Sequence, residues 1–120
     1  MRSLLVLLAW LAFALPVSHG TEHCEPGQSS FTVAKGREGF TVQGPLQVAK
    51  LERDNMRLDK QSGRVVPFGY GNAEWEEFKA TITFGDEIFR FTRQEKRFYM
   101  DGHILVRNGC IIRLLVGRIS

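Results

Sequence analysis

The side chains that could perform nucleophilic chemistry in this chain are a histidine, an aspartate and two serines. His103 follows Asp101 by two residues, and Ser29 or Ser30 could supply a hydroxyl. Such a set hydrolyses esters or amides when the imidazole activates the hydroxyl and the carboxylate orients the imidazole. No nucleophile elbow or Cys-His signature surrounds these residues. We therefore assign no catalytic residue, and a small hydrolase using His103 and Asp101 stays an alternative.

Two further sets of residues have a structural interpretation. Asp86 and Glu87 form a pair of carboxylates of the kind used in acid-base chemistry, but they fall where a helix gives way to a strand, so turn formation explains them. A metal site needs three or four converging ligands, and His23 and His103 have no ligand-rich neighbourhood at short spacing. We expect neither a metal nor another cofactor.

A cluster of basic residues is the strongest candidate for contact with a partner. Arg90, Arg93 and Arg97 lie close together in the sequence. Aromatic residues lie among them: Phe89, Phe91, Phe98 and Tyr99. This mixture formally resembles a nucleic-acid surface, yet it is also typical of a strand with arginines on its solvent side. An exported protein would meet an acidic protein more readily than DNA, so we expect an unknown protein partner and no nucleic acid.

The charge and composition of the chain exclude few classes of protein. The net charge is +3, and basic residues are interleaved with acidic ones instead of forming blocks. The chain shows no internal repeat, low-complexity stretch or change in composition after its first 20 residues. These features indicate one small globular domain over residues 21–120.

The N-terminus has the pattern of a cleavable secretory signal. Arg2 precedes an apolar run over residues 4–15, and a polar segment leads to small residues at Ser18 and Gly20, which favours cleavage before Thr21. The apolar run is about a dozen residues, whereas a helix that crosses a bilayer needs about 20. We expect residues 1–20 to be a signal peptide, no stable membrane anchor after cleavage, and a periplasmic or secreted product.

The chain has two cysteines, Cys24 and Cys110, one near each end of the mature protein. Disulfides persist in the oxidising compartments to which the signal directs the chain, so we expect these residues to pair. Two free thiols and a dimer linked through Cys24 are the alternatives.

Periodicity and turn residues give a coarse map of the elements. Residues 31–33 and 40–43 are short β-branched and aromatic runs that predict a hairpin or two strands. Residues 46–56 are compatible with either strand or helix. Asn72 is expected to cap a helix whose face carries Trp75 and Phe78, and residues 87–92 alternate as in a strand.

The most informative local pattern is near the C-terminus. Asn108-Gly109 separates two apolar runs, and this dipeptide favours the type I′ turn of a β-hairpin. The second run is apolar on both faces from Ile111 to Val116, which predicts a central strand or a strand in a dimer interface. The expected fold class is α+β: a small antiparallel sheet of about four to six strands, with one main helix packed on a face and a C-terminal β-hairpin.

The second half of the mature chain resembles a group of short, exported, uncharacterised proteins of Gram-negative bacteria. The shared features are a Trp-bearing helix at residues 74–78, a Gly-Asp-Glu step at residues 85–87, and a terminal hairpin with Arg107-Asn108-Gly109. The resemblance covers a little under half of the chain and implies a periplasmic setting. It implies no activity and no functional residues.

Together these observations favour a non-enzymatic protein-binding module, of inhibitor or immunity type, that uses a sheet edge or the basic and aromatic surface. The alternatives are the small hydrolase and a structural homo-oligomer built through the terminal strand. A homodimer is compatible with each of these functions.

Overall fold

The computed structural model describes residues 23–120, so the predicted signal peptide over residues 1–20 lies outside the described residues. The elements follow in this order: β1 (Ser29–Ser30), α1 (Phe31–Lys35), β2 (Phe40–Leu46), α2 (Val48–Asp54), β3 (Met56–Asp59), β4 (Arg64–Pro67), a 3₁₀ turn (Gly69–Gly71), α3 (Asn72–Thr81), β5 (Glu87–Glu95), β6 (Phe98–Arg107) and β7 (Cys110–Ile119). Across this part of the chain, every helix falls short of the length and hydropathy that a bilayer-spanning helix requires.

A curled antiparallel sheet of five strands forms the centre of the molecule. Its strand order is β1-β7-β6-β5-β2, and β3 and β4 form a separate two-stranded sheet. The strands β5, β6 and β7 are consecutive in the chain and pair with their sequence neighbours. The fold is therefore mixed α and β with an antiparallel sheet, as predicted, and contains more sheet than a single hairpin and helix would imply.

Apolar side chains cover both faces of this sheet. On one face, α2 and α3 pack on β5–β7 through a cluster of six buried residues: Leu51, Trp75, Phe78, Ile88, Leu105 and Leu115. We call this the helix face. On the other face, α1 contributes Phe31 to a second cluster with Phe89, Phe91, Ile104 and Val106. We call it the Phe31 face. Alternate residues of each strand contribute to opposite faces, as strand geometry requires.

The predicted C-terminal hairpin and disulfide are both present. Asn108 and Gly109 have φ angles of 52° and 78°, the left-handed conformations that a type I′ turn needs. Cys24 is bonded to Cys110 at the first residue of β7, with the two Cα atoms 5.6 Å apart. The disulfide indicates an oxidising, non-cytoplasmic compartment.

Two local predictions are wrong. Residues 31–33 belong to helix α1 rather than a strand, because the Ser30 side chain accepts a hydrogen bond from the Val33 amide at 3.3 Å and caps the helix. Helix α3 does begin at Asn72, but that side chain does not cap it. The Asn72 amide instead donates to the Pro67 carbonyl at 2.9 Å, which ties the helix start to β4.

The structure also resolves the ambiguous segment 46–56 and corrects the expected position of β7 in the sheet. The ambiguous segment 46–56 is mainly helix α2, with Leu51 buried in the core. Strand β7 is not central, because β1 pairs with only its first two residues, through Ser30 with Cys110 and Ser29 with Ile111. Because most of β7 lies at an edge, several of its apolar side chains are exposed.

Candidate functional site

His103 lies in the middle of the five-stranded sheet. It is on β6, directly opposite Arg90 of β5 and Leu115 of β7. Its side chain points to the helix face, where the ring meets Phe68 edge-on with centroids 5.7 Å apart. Only 8% of the residue is exposed. Among residues 23–120, His103 is the one polar or charged residue that is buried as a whole.

Burial changes the protonation of this histidine. Desolvation is the largest cause, and the nearby Arg90 guanidinium acts in the same direction, so the pKa of His103 falls from 6.5 to about 4. The Asp101 carboxylate opposes the shift without cancelling it. The imidazole is therefore neutral above about pH 5 and presents one N–H donor and one nitrogen acceptor.

Asp101 is surrounded by donors beside the histidine. Its carboxylate accepts a hydrogen bond from the Tyr99 hydroxyl at 2.7 Å and lies 3.8 Å from Arg90 and 3.6 Å from Arg118. The Arg118 guanidinium also lies over the Tyr99 ring, 4.9 Å from its centroid. One carboxylate is thus shared by two arginines. From the sequence, Tyr99 was expected only as an aromatic residue among the arginines, and Arg118 was not identified. Tyr99 alternates with Asp101 along one strand, which was the available signal, whereas the pairing of Arg118 with Asp101 depends on the register of β6 with β7.

A cleft on the helix face gives access to these residues. Its volume is about 530 Å³, and its lining includes Phe68, Tyr70, Arg90, Asp101 and His103. A second hollow of about 260 Å³ adjoins it and is reached from the side of α2. The structure thus brings the predicted His103 and Asp101 together in one cleft and places Arg90 with them.

The serines proposed for a nucleophilic set do not share this cleft. Ser29 and Ser30 line a groove of about 510 Å³ at the Phe31 face, on the opposite side of the sheet from His103. In addition, an imidazole with a pKa near 4 is a weak base at neutral pH. The serine-based set is therefore not assembled in this structure.

The carboxylate pair at the helix-to-strand connection has a structural role. The Asp86 side chain is 1% exposed and accepts two hydrogen bonds from the Arg107 guanidinium, at 2.9 and 2.8 Å. Arg107 chiefly, with help from the Thr83 amide, holds the pKa of Asp86 below its ordinary value. This pair fixes the turn before β5 to the end of β6.

The three arginines predicted to contact a partner do not form one patch. Arg90 lines the helix-face cleft, whereas Arg93, three residues further along β5, belongs to the groove at the Phe31 face. Arg93 pairs with Glu95 at 2.8 Å, and its guanidinium lies 5.5 Å from the centre of the Phe98 ring. Arg97 lies in the turn between β5 and β6. A single partner surface containing all three would have to wrap around the sheet.

The outer edge of β7 is a second candidate site, which the sequence pattern did not locate. Within residues 23–120, β1 is the only strand that pairs with this edge, and the pairing stops at Ile111. Three apolar side chains beyond that point are exposed: Leu114 by 52%, Val116 by 45% and Ile119 by 61%. Their cross-strand partners Ile104, Gly102 and Met100 place them on the Phe31 face.

The backbone of β7 also points polar groups outward. Tyr99 and Ser120 exchange backbone hydrogen bonds, so the odd-numbered residues of β6 bond towards β7. Their partners Arg113 and Leu115 consequently bond back towards β6. The N–H and C=O groups of Leu114 and Val116 therefore face outward, where no described strand pairs with them.

No group of three or more His, Cys, Asp and Glu side chains within residues 23–120 is arranged to hold a metal ion. The chain matches no model of a known protein family. Searches of curated proteins and of solved structures likewise gave no similar protein.

Proposed function

We propose that this chain is a non-enzymatic protein-binding module of inhibitor or immunity type, exported by the signal at residues 1–20 and active in the periplasm or outside the cell. The disulfide between Cys24 and Cys110 supports an oxidising location. The observation that carries the binding role is the edge of β7 beyond Ile111, with which no strand of residues 23–120 pairs.

Edge strands of this kind are usually protected. Natural sheets shorten them, place charges or proline on them, or cover them with another segment, because an open edge recruits other strands. Here the edge runs from Ile112 to Ile119 and exposes Leu114, Val116 and Ile119. An extended peptide can add to such an edge, gaining main-chain hydrogen bonds for affinity and side-chain contacts for specificity.

The charges next to this edge indicate the partner's chemistry. Arg113 and Arg118 project from β7 on the helix face, opposite to the exposed apolar side chains. Arg113 donates a hydrogen bond to the Thr81 hydroxyl at 3.2 Å and lies 3.4 Å from the exposed Glu77 carboxylate, and Arg118 shares Asp101 with Arg90. The complementary occupant is an extended segment of another protein that alternates acidic and apolar residues.

A second copy of this chain is a poorer occupant. Two β7 strands paired antiparallel through their outward-facing residues, with Leu114 of one copy opposite Val116 of the other, would bring Arg113 of one copy within one residue of Arg118 of the other, and like charges close together across a strand pair are destabilising. The same arginines attract carboxylates on a different partner. This favours a heterologous partner over the homo-oligomer alternative.

The test uses a synthetic decapeptide of alternating valine and glutamate, with the valine–lysine decapeptide as its control. Binding to the mature, disulfide-bonded protein is measured by fluorescence anisotropy, and the amides of Leu114 and Val116 are followed by hydrogen exchange. We expect saturable binding of the glutamate peptide only, with slower exchange at both amides.

A matched pair of variants separates backbone recognition from side-chain contact. Val116→Pro removes an outward N–H, which edge strands tolerate, whereas Val116→Ala keeps that N–H and shortens the side chain. The Pro variant should lose binding and the Ala variant should keep most of it. Equal binding by the two variants, no binding of the glutamate peptide, or a dimer in light scattering with both amides already protected would overturn the proposal.

A small hydrolase is the second candidate, because His103 and Asp101 share one cleft. The low pKa of His103 and the distant serines count against it. An esterase assay with p-nitrophenyl acetate tests it: turnover that His103→Ala abolishes without unfolding the domain would support this function, and unchanged turnover would dismiss it.

A further inference from the structure

We propose that the helix-face cleft binds a small organic carboxylate, held by Arg90 and by an N–H of the His103 ring, with its apolar part against Phe68. The site adjoins β7 through Leu115, Val116 and Gly117, but its binding residues Arg90 and His103 lie on other strands, so it does not depend on the proposed function.

The first observation is that the buried imidazole ring of His103 has no hydrogen-bond partner among residues 23–120. His103 is more than nine-tenths buried, yet no residue among 23–120 forms a hydrogen bond with its imidazole, and its aromatic contact is with Phe68. Buried polar groups are nearly always hydrogen-bonded. No polar side-chain atom in this part of the chain is both fully enclosed and unpaired, so the ring nitrogens face the cleft. Their hydrogen-bonding capacity is available to a ligand there.

The second observation is the position of the polar residues. The cleft of about 530 Å³ and the adjoining hollow of about 260 Å³ share three lining residues, Asn55, Arg90 and His103. Arg90 and His103 are direct cross-strand partners, which places their Cβ atoms about 5 Å apart. A group at the junction of the two hollows can therefore contact both side chains at once.

Arg90 can bind an anion, and the two carboxylates at the cleft restrict that anion to a single negative charge. Arg90 is 45% exposed, and its 3.8 Å contact with Asp101 is longer than a hydrogen bond, so its donors are available to a ligand. A guanidinium binds a planar carboxylate through two parallel hydrogen bonds. Glu74 and Asp101 also line the cleft, and these carboxylates would repel a phosphate dianion more strongly than a monoanion.

The walls favour a ligand with an apolar or aromatic body. Phe68 packs against both Trp75 and His103, which fixes its ring at the cleft, and Leu115 contributes an aliphatic surface. Tyr70 is 87% exposed and also lines the cleft. A ring placed against Phe68 gains aromatic contact in addition to burial of its apolar area.

The test titrates the mature protein with benzoate, and with benzyl alcohol and inorganic phosphate as comparison ligands. Binding is followed by NMR at the His103 ring nitrogens. Arg90→Gln is the test variant, and Arg93→Gln is the matched control, because it lies on the same strand but on the opposite face. We expect saturable binding of benzoate that Arg90→Gln weakens about tenfold or more, since a hydrogen bond to a charged group is lost.

Benzyl alcohol and phosphate should bind far more weakly than benzoate, and Arg93→Gln should behave as the wild type. The proposal is overturned if benzoate gives no saturable shift at His103, if the two variants bind benzoate equally, or if phosphate binds as tightly as benzoate.

Discussion

Lowering the pH from 7 to 5 should destabilise this protein through one buried side chain, His103. Its pKa is about 4 in the folded state, against 6.5 for an exposed histidine. Between these values the unfolded chain binds a proton that the folded chain does not. The stabilisation from the neutral histidine is therefore complete above about pH 6.5 and is lost as the pH falls towards 4. Linkage gives a loss of about 2 kcal/mol between pH 7 and pH 5.

Urea denaturation, followed by tryptophan fluorescence with the disulfide intact, measures this loss directly. The wild type and His103→Gln are compared at pH 7, 6 and 5, because glutamine keeps polarity without titrating. We expect the free energy of unfolding to fall with pH in the wild type and to vary much less in the variant. As a second measurement, the His103 ring resonances should not titrate above about pH 5. The same pH dependence in both proteins, or a His103 titration near pH 6.5, would refute the reasoning.

Three further predictions concern stability. Arg107→Ala should cost about 3 kcal/mol in chemical denaturation because it leaves the buried Asp86 carboxylate without a cation and with hydrogen bonds only from Thr83, whereas Arg107→Lys should cost clearly less. Gly102→Ala should destabilise the protein by more than about 2 kcal/mol, since the added Cβ would lie 2.0 Å from the Leu115 carbonyl oxygen and push β6 away from β7; a melting temperature within a few degrees of wild type would contradict this. Reducing the disulfide, which closes 86 residues of chain, should cost about 4 to 5 kcal/mol if chain entropy dominates, as measured by urea denaturation with and without reductant.

Patterns that are local in the sequence predicted local structure well. The Asn108-Gly109 turn and the start of the main helix at Asn72 are where turn chemistry and periodicity place them. The prediction failed at residues 31–33, where aromatic and β-branched residues favour a strand by propensity. There, one capping hydrogen bond from Val33 to Ser30, together with burial of Phe31 against Phe89, stabilises a short helix instead.

The candidate sites depend on strand order, which no local pattern encodes. His103 is buried because β6 lies between β5 and β7, and it meets Arg90 because the two are cross-strand partners. The run from Ile111 to Val116 is apolar on both faces, which predicts a central strand or a strand in a dimer interface. In the fold, one face of that run contributes Leu115 to the core, while Leu114 and Val116 stay exposed at an edge.

The disulfide explains why residues 24–28 do not pair with this edge. If the pairing of Ser29 with Ile111 continued towards the N-terminus, Cys24 would lie opposite Val116, about 20 Å along β7 from Cys110. Instead Cys24 is bonded to Cys110, and the chain turns back through a hydrogen bond from the Gln28 amide to the Glu25 carbonyl at 2.9 Å. Residues 24–28 are thereby prevented from adding to the edge as an internal strand. The covalent bond that stabilises the domain thus also keeps its proposed binding edge free for a partner.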